Sequence, residues 1–228
     1  MINVKNIARN YLNDLKDSLG KIKLADVQKL ADVLLEAYKN DKTVYILGNG
    51  GAASTASHMA CDLGKGTLKN VYNPREKRLR VVSLSDNVAT MTAFANDLSF
   101  DDMFLQQLHN LVQEGDVVIG ISGSGNTPNI IKALMYAKNE GAKTIGLLGY
   151  HTGGKAKEFV DFGITVQSSS YGIIEDVHLA LNHLLTSCLA YMKEHIDNGT
   201  DPEKAVGKKI NKSPKGQVAE WTERSARR

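Results

Sequence analysis

Apolar residues recur along the first forty positions with the spacing of helices. Leu12, Leu15 and Leu19 form one stripe, and Val27, Leu30, Leu34 and Tyr38 form another. Gly20 marks the break between the two helices that this predicts. The pattern then changes. Short apolar runs at 44–47, 79–84, 117–122, 144–148 and 162–166 predict five strands, separated by helix-compatible stretches near 54–63, 88–95, 104–113, 129–139 and 154–159. The central runs lack the apolar–polar alternation of a half-exposed strand, as befits strands covered on both faces. Alternating strands and helices predict an α/β fold with a five-stranded parallel sheet and helices on both sides. The last helix, near 175–193, carries Val177, Leu179, Ala180, Leu181, Leu184, Leu185, Cys188, Leu189 and Ala190 around almost its whole circumference. A helix apolar all round must be buried, and its terminal place predicts cover by oligomer contacts together with the N-terminal helices.

Two of the predicted strands end in glycine turns. In 43–58 the run Val44 to Leu47 breaks at Gly48-Asn49-Gly50-Gly51, and small residues lead into a helix. Such a turn leaves the backbone bare and points free N–H groups and the helix dipole at one spot, which suits an anion. It is not the G-x-G-x-x-G dinucleotide fingerprint, and no G-K-[ST] follows for a P-loop. In 116–127 a second buried run ends in Ser122-Gly123-Ser124-Gly125-Asn126-Thr127, with Pro128 suited to the first turn of the next helix. Hydroxyls and amides there predict phosphate binding by neutral hydrogen bonds. Either turn alone is also what an ordinary strand-to-helix connection looks like. Two at the carboxyl ends of parallel strands point to a ligand, because open α/β sheets bind theirs at that edge.

The composition narrows the setting. A chain of 228 residues, 42% hydrophobic, builds one large domain, or a domain plus a helical extension, with ample core. No apolar run reaches the ~20 residues that span a bilayer, and the first residues hold no signal-peptide core. Two cysteines, Cys61 and Cys188, form no disulfide framework, so a reducing cytoplasm is expected. The net charge of +3 is concentrated in Lys204, Lys208, Lys209, Lys212, Lys215, Arg224, Arg227 and Arg228. The organisation read from this is a helical extension at 1–40, the α/β domain at 41–195 and a basic, weakly ordered tail at 196–228. No aromatic interleaving accompanies the basic residues, so the tail predicts a solvated segment rather than a nucleic-acid contact.

Some polar residues stand where apolar ones are expected. His58 and Asp62 lie four apart and share a helix face. His183 sits in the middle of the apolar last helix, with His178 and Glu175 before it. These are either satisfied core groups or parts of a metal site, since burying an imidazole or carboxylate unpaired is costly. Glu175 and His183 are eight residues apart, roughly 12 Å along an unbroken helix. Either Glu175 precedes the helix proper or the two serve sites in different subunits.

The motifs Gly48-Asn49-Gly50-Gly51 with His58, Leu84-Ser85-Asp86, Asn96-Asp97, the 120–127 run and Glu175-Asp176-Val177-His178 through His183 resemble those of the sugar isomerase (SIS) family. They are most similar to the phosphoheptose isomerases, which convert sedoheptulose 7-phosphate to D-glycero-D-manno-heptose 7-phosphate. They run in family order over residues 5–195. The resemblance implies flavodoxin-like subunits in a homotetramer, a sugar phosphate substrate and a zinc ion, with manganese or iron as alternatives. By motif position Asn49, Gly50, Gly51, Ser122, Gly123, Ser124 and Thr127 would hold the substrate's phosphate, with Ser85, Asp86, Asp62 and Glu175 as further substrate contacts. His58, Asp62, Glu175 and His183 fall where the family places metal ligands, and Asp62 and His183 where it places the acid/base pair. Asp62 replaces the usual glutamate, Glu175 a glutamine, Ala52 a serine, Gly123 a threonine and Gly66 an arginine beside Lys65. The rival reading is a non-catalytic SIS-fold sugar-phosphate sensor or assembly factor, to which the changes at Asp62 and Ala52 give weight.

Overall fold

The structure, a computed structural model, describes residues 3–197 of the chain. Its five strands coincide with the five apolar runs: β1 (Thr43–Gly48), β2 (Arg80–Ser83), β3 (Val117–Ser122), β4 (Lys143–Leu148) and β5 (Phe162–Thr165). All pair in parallel, in the order β2-β1-β3-β4-β5. Every residue of β1 and β3 is buried, whereas β2 and β5, at the edges, are partly exposed. The helices are α1 (Val4–Gly20), α2 (Leu24–Lys39), α3 (Gly51–Cys61), α4 (Val88–Asp97), α5 (Met103–Leu111), α6 (Pro128–Asn139) and α7 (Tyr171–Asp197).

Strand side chains alternate between two cores. Val44, Ile46, Ile119 and Ile145 face α2, α3 and α7, meeting Leu30, Leu34, Met59, Val177, Leu181 and Leu185. Tyr45 and Val118 face the opposite way, onto Phe104 and Leu108 of α5 and Ile130 and Leu134 of α6. Each fully buried side chain of this size contributes about 1.5–3 kcal/mol. The fold is therefore the three-layer doubly wound sheet that the sequence predicts. The order 2-1-3-4-5 reverses its winding between β1 and β3, and at such a switch point the flanking loops splay apart and leave a crevice. Both glycine turns end strands at this point.

Three expectations need correction. The cover of α7 comes mainly from its own chain: Ile173, Ile174, Val177, Leu181, Leu185 and Leu189 are buried among α2, α3 and the sheet. Leu184 is 41% exposed and is left for any other cover. In α1, Leu15 packs onto the core, whereas Leu12 and Leu19 point outward, and Tyr11 donates to Asp176 at 2.6 Å to tie the helix to α7. Helix 154–159 is a short 3-10 turn, Lys155–Phe159. The basic tail at 198–228 lies outside the described residues.

His178 resolves as a core group. It is buried in α7, and its Nε2 lies 3.1 Å from the carbonyl of Leu148 at the end of β4. Burial lowers its pKa from 6.5 to about 4, the Leu148 contact acting the other way. Between those values the unfolded chain binds a proton that the folded chain refuses, so stability is complete above about pH 6.5 and is lost as pH falls toward 4. The shift corresponds to about 3 kcal/mol. Urea titrations from pH 7 to 4 should show a loss of that order, and His178→Asn should flatten this part of the profile.

Candidate active site

The turn after β1 is built for close approach. Gly50, at φ +56°, caps α3, and a Cβ at Gly51 would fall 2.5 Å from Oε2 of Glu175. The Glu175 carboxylate therefore rests directly on the first residue of α3, where the helix dipole favours negative charge. Asn49 and Asn129 of α6 exchange side-chain hydrogen bonds at 2.9 and 3.3 Å. This amide pair joins the turn after β1 to the loop after β3. Ser85 donates to the Gly48 carbonyl at 3.0 Å, and Asp86 accepts from Ser57.

The 122–127 loop is shaped by its own hydroxyls. Ser122 Oγ accepts from the Gly125 amide at 3.0 Å and lies 3.1 Å from Thr127 Oγ1. Ser124 Oγ accepts from the Asn126 amide at 3.2 Å. Gly125 is at φ +63°, and a Cβ there would fall 1.9 Å from the Gly153 carbonyl oxygen, so only glycine fits. Pro128 opens α6 as expected.

The second half of the site lies further along α3. Gly51 meets Glu175, and His58 meets His183, so α3 and α7 lie side by side and run parallel. The His58 and His183 rings stack edge to face with centroids 5.0 Å apart. Asp62 Oδ2 lies 3.2 Å from His58 Nε2 and 3.7 Å from His183 Nε2. Asp62 begins a single π-helical turn, Asp62–Gly66, that ends α3 and alters which way its side chains face. Among the described residues these three form the group able to hold a metal ion, with one ligand atom from each lying within 4.8 Å of the others.

Of the expected metal ligands the structure thus brings together His58, Asp62 and His183. Glu175 is inside α7, two turns before His183, and its carboxylate stands at the Gly51 turn. That excludes the alternative in which it precedes the helix. The group is also wetter than an apolar setting would be, with side chains of His58, Asp62 and His183 exposed by 43%, 25% and 56%. Burial alone does not demand an ion here. The convergence of two imidazoles and a carboxylate suits one, and such a set would leave room for a substrate oxygen on a bound ion.

Comparison with known proteins places this geometry. The model of the SIS domain family matches residues 10–149. The phosphoheptose isomerase of Nitratiruptor sp. is 40% identical over 157 residues, 69% of this chain and 81% of that protein. The enzyme of that name from Helicobacter pylori strain P12 is 36% identical over 175 residues, 77% and 88%. The chain belongs to the SIS domain family, among its phosphoheptose isomerases. In structure it is similar to phosphoheptose isomerase GmhA from Neisseria gonorrhoeae, with a TM-score of 0.72, 28% identity, and coverage of 81% of this chain and 97% of that one.

Two glycines near the site lie against other side chains. A Cβ at Gly123 would fall 2.9 Å from the Tyr171 ring, so an aromatic side chain takes the space a larger residue there would need. Tyr171 in turn meets Tyr150 edge to face at 5.1 Å. Gly66 lies against Thr186. Sequence reading passed over Ser57, Asn129, Tyr171 and Asn182, each of which touches a predicted site residue. The signal was present for Asn182, a polar residue in an apolar helix.

The 122–127 loop should bind inorganic phosphate. The Ser122 hydroxyl orders the loop through the Gly125 amide and Thr127, so Ser122→Ala should loosen it and weaken phosphate binding by roughly tenfold or more in calorimetric titration. Equal affinity would place the anion elsewhere.

Proposed function

We propose that the protein is an aldose–ketose isomerase acting on a sugar phosphate, sedoheptulose 7-phosphate being the substrate its relatives' name implies. The observation that carries the reading is the meeting of His58, Asp62 and His183 on two helices whose other end is the Gly51 turn. The seven residues from Gly51 to His58 span roughly 10 Å of helix, which separates an anion site from an acid–base site. A long sugar phosphate has the same layout, with its phosphate at one end and its carbonyl at the other. Ser122, Gly123, Ser124 and Thr127, with Asn49 and Gly50, would hold the phosphate, and Ser85 and Asp86 the intervening hydroxyls; Gly51 carries the Glu175 carboxylate and would not take a second anion.

Asp62 serves as base. Its Oδ2 is engaged with His58 and Asn182, while Oδ1 makes no hydrogen bond to another described residue. Asp62 removes the proton from C1, beside the C2 carbonyl, and His183, through the ring nitrogen not given to an ion, protonates O2 to give the enediol. Return of a proton to C2 and loss of the O1 proton complete the aldose. His58, Asp62 and His183 would hold a divalent ion, zinc by the donor set, and Glu175, held at the Gly51 turn, would stand apart from it. Bound there, such an ion would polarise the substrate oxygens.

Further support concerns the setting. Val4, Ile7 and Leu12 on α1 are 68%, 60% and 63% exposed, an apolar face that a homotetramer would cover. Among the described residues no helix is long and apolar enough to cross a membrane. Free Cys61 and Cys188 fit a reducing cytoplasm.

Incubation with sedoheptulose 7-phosphate should yield the aldose, and chelation should abolish turnover. Asp62→Asn and His183→Ala should each lower kcat by about a hundredfold or more, whereas Asp62→Glu should keep appreciable activity because the charge is retained. A wild-type protein that binds the sugar phosphate without turning it over would favour the sensor reading instead. Light scattering at micromolar concentration should give a tetramer mass; a monomer would remove the assembly from the proposal.

A further inference from the structure

Asn182 immediately precedes His183 in α7 and is fully buried. Its Nδ2 donates to Asp62 Oδ2 at 2.9 Å. An ionised carboxylate only accepts, so the amide must present its NH2 side to Asp62. Its own carbonyl, Oδ1, is then buried with no hydrogen-bond partner. One turn further along the same face, Thr186 Oγ1 is likewise buried without a partner. An orphaned buried acceptor costs on the order of 1–3 kcal/mol, and an apolar residue of the same size would avoid it. A polar side chain kept at a structural loss calls for an explanation at the group it touches.

That group is the carboxylate shared by both histidines. Oδ2 is the one atom that His58, His183 and Asn182 all approach, from three directions. A histidine nitrogen donates or accepts according to its protonation and is unavailable as a donor once it binds a metal. The amide of Asn182 donates under every condition. We infer that Asn182 is a positioning residue: its amide fixes the Asp62 carboxylate between His58 and His183, so that one oxygen is held for the metal while the other stays free to act as base.

The inference rests on the metal-assisted reading above, and zinc affinity tests it apart from turnover. In the full chain, Asn182→Leu keeps the volume and removes the donor. Its affinity for zinc, measured by competition with a chelating dye, should fall by about tenfold to a hundredfold, the usual effect of losing an outer-sphere partner. The thermal midpoint of the metal-free variant should not fall, because the orphaned carbonyl is removed as well. With sedoheptulose 7-phosphate, kcat should drop and KM stay within about twofold, since Asn182 acts on the reacting end. Asn182→Ala, smaller and equally without a donor, should behave alike in zinc affinity and kcat. Zinc affinity within twofold of wild type in both variants, no zinc uptake by wild type, or failure of both variants to fold would overturn the inference. A wild-type protein that binds zinc, loses it on Asn182→Leu, and yet does not isomerise would remove the proposed function and leave the role of Asn182 in place.

Discussion

The parallel contact between α3 and α7 is the constraint on which the site depends. Its apolar side, Ala56 and Met59 against Val177, Leu181 and Leu185, is part of the main core and holds the two helices in register. Its polar edge inherits that register. At one end Gly51 is bare, and the Glu175 carboxylate rests on it; any larger residue would push the helices apart. At the other end His58, Asp62 and His183 converge from segments 120 residues apart in sequence. Burial of the aliphatic face thus supplies the precision that the polar face needs, since a one-residue slip of either helix would turn a histidine away.

The sheet adds the other half. Strand order places the carboxyl ends of β1 and β3 side by side at the switch point, and the Asn49–Asn129 amide pair ties their loops together. The anion cradle proposed there would use amides and hydroxyls rather than lysines. Neutral donors fixed by a rigid scaffold lose little entropy on binding, and they leave the site without a strong positive charge that would hold any anion indiscriminately.

Two side chains brace the site from outside its expected residues. Tyr171 stands over Gly123, and Asn182 donates to the carboxylate of Asp62. The second arrangement leaves a buried carbonyl without a partner. Such a loss in stability is tolerable when the remaining core is large, and here Leu30, Leu34, Ile46, Leu47 and Met59 are almost wholly inaccessible to water. Stability from the aliphatic layers offsets strain at the polar edge.

Much of the fold was legible in the chain. Runs of β-branched and aliphatic residues marked the strands to within a residue or two, and the glycine turns marked the ligand edge of the sheet, because backbone freedom and periodicity are local properties. The pairing of His58 with Asp62 was legible for the same reason, through helical spacing. What tertiary structure alone decided was which distant helix completes the group. Asn182 and His178 are both polar residues in one apolar helix, yet one meets a carboxylate across the α3 contact and the other a strand carbonyl in the core. They lie four apart on one face of α7, and their fates differ because one level of that face packs against the end of β4 and the next against the end of α3, which only the packing of the helix decides. The exposure of His58 and His183 and the separation of Glu175 from them were likewise set by packing rather than by residue type. Sequence determines which groups are available and on which face; the register of α3 against α7 determines which of them meet.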